Sequence, residues 1–280
     1  MSELNPTLQR PMVIEAGKEE GQYWKDIWQY RELFYFLAWR DVLVRYKQTA
    51  IGVAWSVIRP LLTMAILTFV FGRVAHLPSN GVPYAVLVFA GMLPWQFFAN
   101  GLGDSGQSLV TNSSIVSKVY FPRIIVPTSA VIPSVIDLLI SLLLLFCVMA
   151  IYHYPPTWRI LFLPLCIIPA MLATLGPTLL ISALNVRYRD FRFIVPFILQ
   201  FGVYVSPVGF SSHLVSAKWA VVYALNPMVS VINLFRWCVL GNQAQVSWPL
   251  TAVSSVVVIL FLVLGVRYFR SVERTIADHI

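Results

Sequence analysis

Charged side chains are scarce in this chain. They make up 11% of the 280 residues, whereas hydrophobic residues make up 58%. A soluble domain carries about 25% charged residues, so a soluble single domain is excluded. The net charge is +8, but the basic residues stand beside apolar stretches and form no basic stripe with an RNA or DNA motif. We therefore expect no nucleic acid partner and interpret the charge as topology information.

Cysteine is also scarce, with three residues, Cys147, Cys166 and Cys238. Their spacing matches neither a metal site nor a disulfide framework, and two of them lie inside apolar spans. We interpret them as small apolar residues. The first 30 residues hold five acidic residues and no apolar core of a signal peptide. We expect no cleavable signal, so the first span itself would direct insertion.

Motifs of catalysis are missing as well. The chain has no Walker A sequence, HExxH, GxSxG or dinucleotide-binding fingerprint. Its four histidines, His76, His153, His213 and His279, lack the spacing of metal ligands. We expect no catalysis, no metal site and no cofactor in this chain. If such a chain is a transporter, its driving force must come from an ion gradient or from another subunit.

Six long apolar stretches dominate what is present. Bilayer hydrocarbon is about 30 Å thick and takes roughly 20 apolar residues as a helix. The pattern predicts an all-α integral membrane protein with six transmembrane helices, most of them interrupted by proline. The predicted spans are 51–71, 82–102, 124–151, 160–184, 194–210 and 249–268.

The short segments between the spans alternate between rich and poor in Lys and Arg. Fifteen basic residues fall on the side of the two termini and four, including Arg236, on the other. By the positive-inside rule both termini are cytoplasmic. Between spans five and six, two short apolar pieces flank Asn226-Pro227. Counting them as one crossing would break the charge pattern, so we predict an external re-entrant helical hairpin at about 212–240.

Residues 31–48 precede the first span and have helical composition with charges in two stripes. Such a helix suits the membrane surface, with protein on one side and lipid on the other, and with Trp39 and Tyr46 at headgroup depth. A plain lipid-surface anchor is the alternative interpretation. Residues 1–30 are predicted as a cytoplasmic tail without an assigned role, and 49–280 as the six-span transmembrane domain.

Two ionisable residues stand out inside the predicted spans. Asp137 lies in span three, roughly 20 Å beyond Arg123 at the helical rise, and Arg59 lies in span one. Ionisable residues are costly in hydrocarbon and are kept there for function or are satisfied by a neighbouring helix. A proton relay would need more members, so a structural role is the simpler interpretation.

The loop between spans two and three predicts a short helix along the membrane. Ile115, Val116, Val119 and Tyr120 share one stripe, and Phe121-Pro122-Arg123 ends the element. An apolar face toward water needs a cover. Either a partner protein covers it, or the helix folds back on the protein's own helix ends.

Four segments carry a resemblance to a known family. IVSKVYFPRIIVP at 115–127, NVRYRDFRFIVP at 185–196 and LNPMVSVINLFR at 225–236 resemble the signature stretches of membrane subunits of polysaccharide-exporting ABC transporters. That family handles O-antigen, capsule and teichoic acid. RYKQTAIGVAWSVIRP at 45–60 is similar to the start of the family's first span. The resemblance covers nearly all of the chain after residue 30.

The resemblance implies a homodimer in a bacterial inner membrane, with a path for a lipid-linked glycan. A separate nucleotide-binding subunit would hold ATP and Mg, and the cargo would most simply be O-antigen on undecaprenyl diphosphate. Residues 31–48 would be a gate helix, with the substrate entrance at Arg45, Tyr46, Lys47 and Arg59. The coupling helix would span about 113–120, and contacts to the ATPase would come from Ser113, Ile115, Val116, Lys118, Val119, Tyr120 and Phe121.

An exporter channel for sugars is expected to be lined by aromatic rings, because sugar C–H faces lie well on them. The candidates are Trp95, Phe97, Phe98, Phe201 and Tyr204. The alternative is that these rings serve helix packing or the membrane interface.

Two other functions fit parts of the pattern. The same architecture could export a drug or a small lipid. A membrane polyprenyl-sugar transferase would instead need catalytic residues on cytoplasmic loops, where only Asp104 and Asp190 are available.

Overall fold

The computed structural model describes residues 20–47, 52–79, 81–244, 246–273 and 275–276, and every regular element in these ranges is helical. The predicted all-α class is confirmed. The helices are α1 Glu20–Gln29, α2 Arg31–Lys47, α3 Gly52–Leu67, α4 Tyr84–Thr111, α5 Ser113–Lys118, α6 Ile125–Ser129, α7 Ile132–Ile151, α8 Leu163–Arg187, α9 Phe191–Val205, α10 Ala217–Ala224, α11 Pro227–Leu240 and α12 Trp248–Glu273. A π-helical turn, Thr68–Val74, extends α3, and 3₁₀ turns lie at Trp158–Phe162, Ser212–Leu214 and Gly241–Gln243.

Among the described residues, five helical stretches are long and apolar enough to cross a bilayer. A sixth is the bent pair Lys218–Ala224 and Pro227–Leu240, if its two arms, which meet at 96°, form one broken span. The predicted fifth span, 194–210, overlaps α9, which begins earlier, at Phe191, and has only 15 residues, about 22 Å. The five stretches are Ala54–Val74, Tyr84–Thr111, Ile125–Ile151, Trp158–Arg187 and Trp248–Glu273.

The bundle has two distinguishable ends. We call one of them the terminal end, because α1 and the end of α12 meet there. The Tyr23 hydroxyl of α1 donates to Oε2 of Glu273, the last residue of α12, at 2.8 Å. The Arg123 backbone N–H donates to Glu273 Oε1 at 2.7 Å, so the loop before α6 lies here too. At the far end lie the first residues of α4, α8 and α12. The segment described as a tail thus contains a packed helix, α1, while residues 1–19 lie outside the described part.

Helix α4 is the centre of the bundle and runs nine residues beyond its predicted end at Leu102. The sequence there is rich in glycine, which favours a loop, and this made the prediction wrong. The structure uses the glycines for close packing against α8. A Cβ on Gly101 would lie 2.8 Å from Thr174 Cγ2, and one on Gly106 would lie 3.0 Å from Ile181 Cγ2. Small residues of this kind let membrane helices approach closely.

Helices α8 and α12 form the most extensive helix pair in the described chain. Their backbones meet at Gly176 and Gly265. A Cβ on Gly265 would lie only 2.3 Å from the Gly176 carbonyl oxygen. Since that neighbour is backbone, no side chain can move aside, and the contact requires glycine.

Most of the prolines do not interrupt the spans as predicted. Pro60, Pro94, Pro169, Pro177 and Pro196 lie inside continuing helices. Membrane helices tolerate internal proline when neighbouring groups satisfy the freed backbone. The chain does break near Ser129–Ile132, where α6 gives way to α7.

The two apolar pieces around Asn226-Pro227 form α10 and α11, as predicted. The Asn226 side chain accepts from the Met228 N–H at 3.0 Å and caps α11. Arg236 of α11 is buried, with 4% of its surface exposed. It donates to the carbonyls of Phe210, Val208 and Leu87 at 2.6, 2.8 and 3.3 Å. Arg236 was counted above as a loop cation; instead it joins α11 to α4 and to the chain after α9.

Two of the three cysteines meet inside the far half of the bundle. Cys166 of α8 and Cys238 of α11 are buried, with 3.2 Å between their sulfur atoms. They do act as small core residues, but the sequence spacing gave no sign of their contact. The contact fixes where α11 packs on α8.

This contact gives a test of the fold. We expect copper phenanthroline to join Cys166 to Cys238 in most chains, because the sulfurs need to close only from 3.2 Å to about 2.05 Å. Peptide mass spectrometry after alkylation measures the bridge. Exposed Cys147 is the internal control and should remain alkylated. A free, alkylated Cys238 after oxidation would contradict the packing of α11 on α8.

Candidate functional site

Helix α2 forms one wall of the candidate site. Glu32 in its first turn and Arg45 and Lys47 in its last turn complement the helix dipole. Its buried residues, Leu37, Ala38 and Val42, anchor it, and it packs on α6 and α7. The opposite surface carries exposed Tyr35 and Trp39, whose rings stack with centroids 6.5 Å apart. Helix α2 therefore has one protein face and one exposed aromatic face.

A cavity with a volume of about 530 Å³ lies between α2, α3, α4, α7 and α9. Its wall is mixed, with cationic, acidic, amide and aromatic side chains. The polar and aromatic lining residues are Arg45, Tyr46, Trp55, Ser56, Arg59, Thr63, Trp95, Gln96, Phe97, Asn100, Asp137, Ser141, Gln200 and Tyr204.

Arg45 is the centre of the charged part of this cavity. Its Nη1 donates to Asp137 Oδ2 at 2.9 Å, and its Nη2 donates to Asp104 Oδ2 at 2.5 Å. The two carboxylates come from α7 and α4, so one guanidinium joins three helices. Asp104 was expected on a cytoplasmic loop. It lies within α4 instead, because α4 continues past Leu102.

Asp137 is satisfied by a neighbouring helix, which is the structural interpretation given above. Besides Arg45, the Tyr46 hydroxyl donates to Asp137 Oδ1 at 2.5 Å. Burial and then this hydrogen bond raise the pKa of Tyr46. The hydroxyl therefore stays protonated and donates across the physiological pH range.

Arg59 lines the same cavity from α3. Within the described ranges its side chain makes no ion pair, although it lies near enough to Asp104 to act on it electrostatically. It differs in this from Arg45, which is fully engaged. Lys47 is exposed at the end of α2 and does not line the cavity.

The five aromatic candidates separate into two groups. Trp95, Phe97 and Tyr204 line the cavity, although Trp95 and Phe97 are otherwise buried. Phe98 does not line it; its ring packs beside Trp95, with centroids 5.5 Å apart, and is partly buried against the core. Phe201 is exposed on the outer face of α9 with Phe197. The cavity therefore has an aromatic wall of three of the five rings.

The predicted helix after span two is present as α5, Ser113–Lys118, but its apolar stripe is divided. Val116 and Phe121 are buried in the core at the terminal end, and Ile115 packs against that core. Val119 and Tyr120 are exposed, at 55% and 64%. Val119 already has extended backbone, so the helix ends before it. We call Ser117, Lys118, Val119 and Tyr120 the exposed α5 edge; Phe121 is not part of it.

A second contact of α2 reaches α5. Arg40 Nη2 donates to Asn112 Oδ1 at 2.7 Å, and Asn112 is the single residue between α4 and α5. The Asn112 amide donates in turn to the Ser108 carbonyl at 2.8 Å. The arginine on α2 thus holds the junction of the two helices.

Several site residues were missed from the sequence. Arg40 and Asn112 gave no signal as a pair, because they are 72 positions apart. Gln96, Asn100 and Gln200 are polar residues in predicted spans, and this is the signal that could have found them. Among the described residues, no group of three or more His, Cys, Asp or Glu lies close enough together to hold a metal ion.

The fold is that of a multi-pass membrane protein, with a cavity between its helices. Residues 32–240 match the ABC-2 type transporter family, and the chain belongs to that family. Membership implies an ATP-binding partner subunit. The chain is similar to the O-antigen export system permease protein RfbA of Myxococcus xanthus, with 28% identity over 238 residues, 84% of this chain and 91% of the relative. RfbA of Klebsiella pneumoniae is 27% identical over 243 residues, 85% and 91%. The polysialic acid transport protein KpsM of Escherichia coli is 19% identical over 235 residues, 84% and 91%.

Proposed function

We propose that this chain is the permease subunit of an ATP-driven exporter that moves a lipid-linked polysaccharide across the bacterial inner membrane. Two of the relatives named above are O-antigen export permeases. We therefore propose O-antigen, carried on undecaprenyl diphosphate, as the cargo. The chain itself holds no cofactor; ATP and Mg belong to the partner. Both termini are cytoplasmic in this proposal, so the terminal end of the bundle faces the cytoplasm.

The composition of the cavity carries the proposal. Arg45 and Arg59 supply cations that suit a diphosphate. Trp95 and Tyr204 supply rings for sugar faces, and Gln96, Asn100 and Gln200 supply amides for sugar hydroxyls. A drug exporter of the same architecture would not need this combination of arginines and amides.

A second copy of this chain would complete the path. Val195 is the one buried residue of α9. In the most apolar part of Ala54–Val74, 11% of the residues are buried, against 78% in the corresponding part of α4. Both poorly buried helices border the cavity. We propose that α3 and α9 of two subunits face each other across the path.

The α10–α11 pair fits the proposed external re-entrant hairpin. Its tip at Asn226 donates to the Ser206 hydroxyl at 2.9 Å, and Ser254 donates to the Ala224 carbonyl at 2.5 Å. Ser254 lies six residues into α12, about 9 Å along the helix. The tip therefore sits below the far end without reaching the terminal end, and the pair would close the exit.

The exposed α5 edge is the proposed contact for the ATPase. We expect Tyr120→Asp to lower ATPase recovery in co-purification at least tenfold, because a carboxylate in an apolar interface is desolvated without a partner. The fold should be unaffected, since the side chain is exposed. Tyr152→Asp is the matched control, because Tyr152 is 50% exposed at the other end of the bundle. Equal ATPase recovery from both variants would contradict the assignment.

Deletion and complementation test the function as a whole. We expect deletion of the gene to remove the surface polysaccharide while lipid-linked glycan accumulates inside the cell. Wild-type chain should restore the surface glycan only when the ATPase partner is active. An unchanged surface glycan together with a changed drug or lipid profile would favour the drug or small-lipid exporter. The polyprenyl-sugar transferase finds no support in the site, because Asp104 is engaged with Arg45 inside α4.

A further inference from the structure

Besides the Tyr46–Asp137 hydrogen bond, two arginines fasten α2 at points about 7.5 Å apart along its axis. Arg45 is held by Asp104 and Asp137 at the cavity, and Arg40 is held by Asn112 at the junction of α4 and α5. These contacts are polar and partly open to water: 29% of the Arg45 side chain and 52% of the Asp104 side chain are exposed. Ion pairs that water reaches contribute little to stability, so these fastenings can open without unfolding the bundle.

The charges at the cavity are balanced. Arg45, Arg59 and Asp137 line the wall, and Asp104, which does not line it, pairs with Arg45, so two cations are offset by two carboxylates. A diphosphate that entered without any rearrangement would meet two carboxylates as well as two cations. The anion gains most if it takes over Arg45, because a guanidinium binds a phosphate with two parallel hydrogen bonds, as it binds a carboxylate. Carboxylate and phosphate therefore compete for the same donors.

From these contacts we infer that Arg45, Asp104 and Asp137 form a latch that a diphosphate group opens by ligand exchange at Arg45. In the closed state described here, Arg45 ties α2 to α4 and α7. When a diphosphate displaces the carboxylates, the ion pairs from Arg45 to α4 and α7 are lost, and α2 is then held by the Tyr46–Asp137 hydrogen bond and by the apolar contacts of Leu37, Ala38 and Val42. The inference rests on the proposed function for its ligand, a polyprenyl diphosphate.

The Arg40–Asn112 contact determines which other part of the protein responds when Arg45 loses its carboxylate partners. Arg40 is on the same helix as Arg45, and its partner Asn112 is both the last cap of α4 and the residue before α5. Movement of α2 changes the Arg40–Asn112 contact and so the support of the exposed α5 edge. The latch thus gives the ATPase side a physical signal that the cavity is loaded.

The first test is the affinity for farnesyl diphosphate, measured on the full chain in nanodiscs. Asp104→Asn removes one competitor for Arg45, so we expect about tenfold tighter binding than in wild type, while Arg45→Ala binds at least tenfold more weakly. Asp104→Asn would weaken binding, or leave it unchanged, if Asp104 were only structural. Asp190→Asn is the matched control, because it makes the same charge change at the exposed α8–α9 turn and should leave affinity within about twofold.

The second test is hydrogen exchange of α2 and of 108–118. Farnesyl diphosphate should raise exchange in both segments of the wild-type chain, and farnesol should raise it in neither. Arg40→Ala should keep the response of α2 and remove the response of 108–118. No response of α2 to farnesyl diphosphate, or no gain in affinity for Asp104→Asn, overturns the latch.

The two failures are distinguishable. If only the latch is wrong, the surface polysaccharide still depends on this gene, and the wild-type chain still binds farnesyl diphosphate. Failure of the proposed function appears as wild-type chain that does not bind farnesyl diphosphate and a surface polysaccharide that is independent of the gene.

Discussion

Replacing Gly265 with valine is expected to separate α8 from α12 and to remove most of the folded protein. The Gly176 carbonyl lies 2.3 Å from the position of a Cβ at residue 265, which is far inside van der Waals contact. The nearest atoms to this Cβ all belong to the Gly176 backbone, so the helices themselves must move apart. Overpacking typically costs about 1–3 kcal/mol and more where nothing can give, and we expect at least about 3 kcal/mol here. Thermal unfolding of the purified membrane protein measures the loss as a fall in Tm.

Gly103→Val is the matched control for this prediction. The nearest atom to a Cβ at Gly103 is Leu199 Cδ1 at 3.9 Å, which is an ordinary contact with a movable side chain. This variant should melt close to wild type, within about 0.5–1 kcal/mol, the helix-propensity scale. If Gly265→Val has the same Tm as Gly103→Val, α8 and α12 do not meet at Gly265.

The second large effect is expected at Arg236, where even lysine should fail. The guanidinium fork reaches three carbonyls on two segments, while an ammonium on a shorter stem reaches fewer of them. Arg236→Lys keeps a buried charge and loses part of its hydrogen bonding, which costs about 1–3 kcal/mol for each unsatisfied group. We expect a loss of about 2–4 kcal/mol, and α10–α11 should become susceptible to proteolysis.

Arg73→Lys provides the comparison. Arg73 lies in the π-helical turn and its side chain is exposed, so the same exchange should leave thermal stability within about 0.5 kcal/mol of wild type. If Arg236→Lys behaves like Arg73→Lys, the carbonyl contacts contribute little and α11 is held mainly by its apolar packing.

Most of the helices could be predicted from the sequence, because apolar length and the ends of apolar stretches are local properties. The boundary between α10 and α11 was predictable for the same reason, since Asn226-Pro227 is a local start signal. The end of α4 was not, because its glycines look like a loop and show their purpose only against Thr174 and Ile181 of α8. Burial of Arg236 was also invisible, since its partners are backbone carbonyls that carry no sequence signal.

The candidate site divides in the same way. Arg45, Arg59 and Asp137 could be selected as unusual charges in or beside spans, and the structure brings all three to one cavity. The link between Arg45 and Asp137 joins two helices, α2 and α7, across 92 positions, so no pattern within a segment could give it. The division of the α5 stripe into buried Val116 and exposed Tyr120 depended on where the helix ends, and Val119 changes conformation one residue too early for a helical wheel.

The length of α4 has a mechanical consequence. Its 28 residues extend about 42 Å, some 12 Å more than hydrocarbon is thick. Trp95 on the cavity wall and Asn112 in front of α5 therefore lie along the same helix, about 25 Å apart on its axis. In the proposed exporter, a movement that the ATPase causes at Asn112 would therefore reach the cavity along one continuous helix, with no loop between them.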